Sequence, residues 1–361
     1  MRSVERVAVL DAAQYAGANA QVRALISRLL PPPFWAEIIV ARDLPGLLNL
    51  LWETSYRQTI APLAGARLAP ATVERALWEY LARAARVPLS LLRGPPRNLL
   101  DWLWRRFEVN NLKTVLRTVE RRVPADRIQA SLIPLGPASA LPWGVLAEAA
   151  SVPAVVEYLR PTFYERPLNQ ALDLYRREGS LFVLEVALDL AYYGRLLAKL
   201  AGLTGRDRRE AERFIGTLAD SQNLLWAFRY RVYAHLAPEE ILNFTLHHGL
   251  RVDASVVREI ASGAPLRDVV ARLWGDRLPD VERLSRLSER EALPELERIF
   301  QRYLYRLALD ALKAYPFHLG VVLAYQVLLE SEVRDLVTVV EGRVAGWPAD
   351  RIQPYLIGSR G

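Results

Sequence analysis

The stretch Val109-Asn110-Asn111-Leu112-Lys113-Thr114 opens a pattern that the chain writes three times. The second copy begins Ser221-Gln222-Asn223-Leu224 and the third Val333-Arg334-Asp335-Leu336, so Asn111, Asn223 and Asp335 stand 112 residues apart. Between residues 109–133 and 333–357, 12 of 25 positions are identical without a gap. Among them is Pro124-Ala125-Asp126-Arg127-Ile128 against Pro348-Ala349-Asp350-Arg351-Ile352. A period this long describes three similar multi-helix units. Nucleic-acid-binding solenoids repeat at about 30–47 residues instead.

Inside the motif, Leu112, Val115, Leu116 and Val119 fall at i, i+3, i+4 and i+7, which buries one face of a helix. Leu224, Ala227 and Phe228 repeat the spacing, as do Leu336, Val339 and Val340. The polar residue just before the first leucine is suited to hydrogen bonding with a neighbouring helix end or to a local bend. A second landmark is a proline-led opening at Asp43-Leu44-Pro45, Ser151-Val152-Pro153 and Gly263-Ala264-Pro265, where Asp43 and the prolines suit a helix start. A third is a glycine after each motif: Gly136, Gly249 and Gly358.

Further amphipathic helices are predicted at about 18–30, 72–86, 98–122, 167–178 and 181–201, and along the stripe Leu296, Ile299, Phe300, Tyr303, Leu304 and Leu307. Alternating strand patterns are missing. Breakers at 133–142 and 246–252 set the expected units: 1–140 with an extra N-terminal helix, 141–250 and 251–361. The expected fold is all-α.

Chemistry is scarce. Without cysteine there is no disulfide, thiolate metal site or thiol nucleophile. The adjacent His247 and His248 point about 100° apart on a helix and read as a solvated pair, and His318 reads as a turn residue. None of the three lysines, Lys113, Lys199 and Lys313, sits in a phosphate loop. Carboxylate pairs such as Glu239-Glu240 and Glu330/Glu332 read as solvated helix faces. No cofactor, metal or catalytic residue is expected. The apolar run from His318 to Leu329 is too short to span a bilayer, and Glu5, Arg6 and Asp11 interrupt any signal-peptide pattern.

The chain resembles the C subunit of the prokaryotic V-type, or A-type, rotary ATPase, whose eukaryotic counterpart is the d subunit. Asn19-Ala20-Gln21-Val22-Arg23-Ala24-Leu25 is similar to the family's opening, and Val109-Asn110-Asn111-Leu112-Lys113-Thr114 to its central motif. Tyr315-Pro316-Phe317, Gly320, Leu323-Ala324-Tyr325, Glu330-Ser331-Glu332-Val333-Arg334 and Gly346-Trp347-Pro348 follow in family order. Asp335 stands where the family usually has asparagine. Gly342-Arg343 replaces its Gly-Lys. The resemblance implies a funnel of three helical bundles about a pseudo-threefold axis. It further implies a non-catalytic rotor adaptor at the cytoplasmic face of the membrane. Its partners would be the D and F subunits of the central stalk and the membrane proteolipid ring, with a proton or sodium as coupling ion.

The alternative reading is a basic all-α repeat scaffold that binds nucleic acid. Arg105-Arg106, Arg117, Arg121-Arg122 and Arg127 support it, with Trp102, Trp104 and Phe107 beside them. Their alternation with Glu108, Glu120 and Asp126, and the core spacing of the aromatics, favour a solvated or protein-facing surface. Under the adaptor reading, the polar faces of the motif helices turn towards the funnel. Lys113, Arg117, Arg229 and Arg343, together with Glu341, are then the candidate docking residues, whereas Asn111, Leu112, Asn223, Leu224, Asp335 and Leu336 are structural.

Overall fold

In the computed structural model, which describes residues 15–63, 68–278 and 280–358, the repeat takes the form of six helices, two per copy. They are α1 (Pro70–Ala84), α2 (Arg106–Glu120), α3 (Phe182–Ala198), α4 (Thr217–Val232), α5 (Glu289–Lys313) and α6 (Leu319–Val344). Glu5, Arg6 and Asp11 lie outside the described residues. Every regular element among the described residues is helical, so the fold is all-α.

Local sequence explains the helix starts. The Asp43 carboxylate accepts the Gly46 N–H at 2.8 Å, and the Ser151 hydroxyl accepts that of Ala154 at 3.3 Å. Each satisfies a donor that a first turn leaves without a helical partner. The third opening lacks such a cap. There Glu289 of α5 accepts the Leu266 N–H at 3.1 Å, so a tertiary contact replaces the local one. The predicted helix over 98–122 is two, Gly94–Trp104 and α2, divided at Arg105. The matching stretch of the second copy is Gly205–Ala211, a wide π-type turn over Glu212–Gly216, and then α4. Only in the third copy does one unbroken helix, the 26-residue α6, cover the same span.

The helices pack in cyclic order: α2 on α3, α4 on α5, and α6 back on α1. All three pairs run antiparallel. Lys113 meets Asp189 while Arg117 meets Glu185, and Arg229 meets Glu297 while Arg231 meets Glu289. In the third pair the Gln326 amide, near the start of α6, donates to the Ala85 carbonyl just past the end of α1 at 2.8 Å. Buried apolar residues form two clusters. One draws on α1, α2 and α6, the other on α4 and the first half of α5, and α3 feeds both through Leu188 and Val186.

Candidate functional site

The repeated polar residue bonds a neighbouring helix end, one of the two expectations, by clamping the main chain just past that helix's C-cap. Asn111 donates from Nδ2 to the Ile133 carbonyl and accepts the Ile133 N–H at Oδ1, both at 2.9 Å. Asn223 accepts the Leu246 N–H at 2.7 Å and donates to the Leu246 and Val252 carbonyls at 2.9 Å each. Asp335, unable to donate when ionised, instead accepts two N–H groups, from Ile357 at 2.6 Å and Gly358 at 2.9 Å. Each clamp fixes main chain 22 or 23 residues downstream. The apolar partners Leu112, Leu224 and Leu336 are fully buried beside them.

One turn before each clamp stands a buried carboxylate, Glu108, Asp220 or Glu332, again spaced by 112 residues. Glu108 accepts from the Tyr164 hydroxyl (2.6 Å), the Ser139 hydroxyl (2.7 Å) and the Arg105 guanidinium (2.8 Å). Asp220 accepts the N–H groups of Leu250, Arg251 and Val252 at 2.8–3.3 Å. Gly249 beside it has to be glycine, since a Cβ there would lie 2.3 Å from the Val252 carbonyl oxygen. Glu332 accepts the Leu30 N–H at 2.6 Å and the Tyr56 hydroxyl at 2.8 Å. Tyr56 and Tyr164 each stand eleven residues after the proline of their opening. The second opening is thus tied to the first motif helix and the first opening to the third, while the third opening is held by Arg231 of α4, which donates to the Ala264 carbonyl at 2.7 Å.

The charge environments of these acids differ. Burial lifts the Glu332 carboxyl to about 7, and nearby Asp335 adds to this against the pull of the Leu30 and Tyr56 hydrogen bonds. Glu330, two residues away, behaves oppositely. Burial would raise it, but Arg106 at 2.5 Å and Arg334 at 2.9 Å hold it down at about 2. Neither of this pair is a solvated carboxylate, which corrects the sequence-based expectation. The helical spacing did not reveal that they face protein. Glu108, which the sequence left on a polar surface, is likewise buried.

Where the three motif helices meet, a cavity of about 380 Å3 is lined by repeat-equivalent positions: Asn110 of α2, Gln222 of α4 and Arg334 of α6. Lys113 and Arg229 also line it; Arg117 and Arg343 do not. All four of these expected cations have internal partners. Lys113 lies 2.6 Å from Asp189, Arg117 grips Glu185 with two bonds of 2.6 Å, and Arg229 lies 2.6 Å from Glu297. Arg343 donates to the Trp347 and Ile39 carbonyls. Sequence reasoning missed Arg106 and Arg334, which line the cavity with Glu330 between them. For Arg334, its 112-residue spacing from Gln222, and twice that from Asn110, was the available signal. Counting the bridged acids, the lining is close to charge-balanced.

His318 differs from the expectation of a turn residue. It is the buried N-cap of α6, and its Nδ1 accepts the Gly320 N–H at 3.0 Å. Burial, then the Arg206 charge, lowers its pKa, so the ring stays neutral and able to accept. His247 and His248 are exposed, as the sequence suggests. Among the described residues no cluster of metal-ligating side chains occurs, and no helix is long and apolar enough to cross a membrane.

Residues 18–355 match the family model of the ATP synthase (C/AC39) subunit. The chain is 25% identical over 351 residues to the C subunit of the A-type ATP synthase of Methanocaldococcus jannaschii, covering 97% of this chain and 88% of the relative. It is 30% identical over 320 residues to the protein of that name from Halobacterium salinarum, covering 86% and 88%. A third protein of that name, from Pyrococcus horikoshii, is 26% identical over 332 residues, covering 91% and 86%.

Proposed function

The chain belongs to the ATP synthase (C/AC39) subunit family, and on that premise we propose that it is the non-catalytic rotor adaptor of an A-type ATP synthase or V-type ATPase. It joins the central stalk of the soluble head, built from the D and F subunits, to the membrane proteolipid ring, and transmits rotation during proton or sodium transport at the cytoplasmic face. The three units, 1–140, 141–250 and 251–361, stand about a pseudo-threefold axis. The observation that carries this reading is the cyclic packing of α2 on α3, α4 on α5 and α6 on α1 around one central cavity. A closed ring of helix pairs resists torsion better than an open row, because no pair can rotate without displacing its neighbours.

The stalk docks at the cavity, where Lys113 and Arg229 join Arg106 and Arg334, with Arg117 and Arg343 on the surrounding surface. Since these cations already hold internal carboxylates, docking works by exchange of partners, and steering and orientation outweigh raw affinity. The test removes the protein from the assembled machine. The head should continue to hydrolyse ATP while ion pumping stops, and pumping that persists without it would overturn the adaptor role.

A further inference from the structure

Each copy turns a corner between its two long helices, over residues 86–106, 195–213 and 309–318. The antiparallel pairing puts all three corners at one end of the molecule. The start of α2 is level with the end of α3, the start of α4 with the end of α5, and the start of α6 with the end of α1. Direct contacts join the corners. Gly202 lies against Pro95, Asp207 accepts the Leu319 N–H at 2.8 Å, and Arg206 stacks over Tyr315.

These corners hold twelve basic residues against five acidic, an excess of seven, and the whole chain carries a formal net charge of +7. Glu108 and Glu330, which bridge Arg105 and Arg106, bring the acids here to seven, so five of the seven excess charges sit at this one end. Several of the cations are engaged: Arg86 with Asp101, Arg208 with Glu212, Arg213 with Glu210. Arg93, Arg97, Lys199 and Arg209 make no ion pair among the described residues. Between them the corners expose Val87, Leu91 and Tyr315.

We propose that this end, seated over the proteolipid ring, also meets an anionic lipid surface, with Arg93, Arg97, Lys199 and Arg209 meeting headgroup phosphates and Leu91 and Tyr315 at the interfacial level. The proposal deepens the adaptor reading and rests on it, since it says which end of the molecule faces the membrane. Cations beside exposed aliphatic and aromatic side chains suit the charged and interfacial zones of a bilayer together.

The test is flotation of the purified full chain with vesicles of phosphatidylcholine, alone or with about a third phosphatidylglycerol. Binding should need the anionic lipid and fall as salt is raised. Arg93→Glu/Arg97→Glu/Arg209→Glu should reduce partitioning about tenfold or more, while Arg121→Glu/Arg127→Glu/Arg286→Glu, the same charge change elsewhere, should leave it within about twofold. All six positions are exposed, and unchanged circular dichroism would verify that both variants fold. Equal binding to neutral vesicles, no binding, or equal loss in the two variants would overturn the proposal. If the wild-type chain ignores anionic vesicles yet co-purifies with a rotary ATPase, the lipid contact fails and the adaptor reading stands. If it co-purifies with no such complex, the adaptor reading itself fails.

Discussion

Two of the three joints that close the ring of helices are fastened by arginine–glutamate bridges at equivalent positions, and the third is not. Arg117 holds Glu185 between α2 and α3, and Arg229 holds Glu297 between α4 and α5. At the corresponding place between α6 and α1 stand Glu341 and Glu74, and burial, then the charge of Glu341, raises the Glu74 carboxyl. The buried acids divide differently, since burial raises both Asp220 and Glu332. Glu108 has a guanidinium beside it and Asp220 three main-chain donors, whereas Glu332 has one N–H, one hydroxyl and a second acid, Asp335, a turn away. The closing joint therefore relies on packing, neutral hydrogen bonds and the Arg334 guanidinium over the Trp78 ring where the other two use ion pairs. Similar sequence repeats have been given different chemistry at the one seam where the chain must find its own beginning.

The clamps offer the largest contrast. Asn223→Asp would aim a buried carboxylate at two carbonyl oxygens, so it should cost about 3–5 kcal/mol. Asp335→Asn, where both partners are donors, forfeits one acceptor and should cost about 1–3 kcal/mol. Denaturant midpoints of the two variants measure the difference. Equal costs would mean that the side chains, contrary to the geometry, are interchangeable.

Next in size is the pair of buried glutamates. Glu108→Ala strands the Tyr164 and Ser139 hydroxyls and leaves Arg105 without its carboxylate, for a loss of about 3 kcal/mol. Glu332→Ala strands one N–H and one hydroxyl but also relieves an uncompensated buried acid, so it should cost about 1–2 kcal/mol. A larger loss at Glu332 would show that the closing joint is fastened by this residue after all.

How much of this was legible beforehand follows the physics of each signal. The 112-residue period and the i, i+3, i+4 spacing of Leu112, Val115 and Leu116 exposed the helices, because core faces recur with the backbone's own geometry. Asn111, Asn223 and Asp335 were visible as special, but their partners lie 22 to 29 residues on, beyond the reach of any local pattern. The acids were the failure. A buried glutamate looks like a solvated one until its donors are known, and Tyr56 reaches Glu332 across 276 residues. The candidate docking cations were chosen from the sequence by type. Their internal partners Glu185, Asp189 and Glu297 were missed, because antiparallel pairing was not read from the sequence.

A pH titration separates the closing joint from the rest. A native carboxyl raised to about 7, against an unperturbed 4.5, holds its proton where the unfolded chain has lost it. Its contribution to stability is complete below about pH 4.5 and is lost as pH rises towards 7. His318 works in the other direction: its lowered pKa gives stability that is lost as pH falls below its ordinary 6.5. The wild-type profile sums these two with other shifted carboxyls, Asp189, Asp220 and Glu330 among them, so the informative quantity is its difference from Glu332→Gln. That variant should gain on the wild type by on the order of 2 kcal/mol between about pH 5 and 8. A pH-independent difference would mean that Glu332 is ionised throughout.

The smallest expected effect is the most specific. If the three joints share one geometry and differ only in charge, Glu341→Arg should build the missing bridge, with Glu74 in the place of Glu185 and Glu297. Both positions are accessible, so solvent screens the pair, and the gain should be about 0–1 kcal/mol at low salt. The Glu74 carboxyl should fall at the same time, since a cation would replace the charge that now raises it. A double-mutant cycle with Glu74→Gln isolates the coupling from any change in helix propensity, which a glutamate-to-arginine swap scarcely alters. Favourable coupling that fades with salt would establish that α6 and α1 meet in the register of the other two pairs. A coupling of zero would mean that the seam has its own register, and that the likeness of the three joints ends at the backbone.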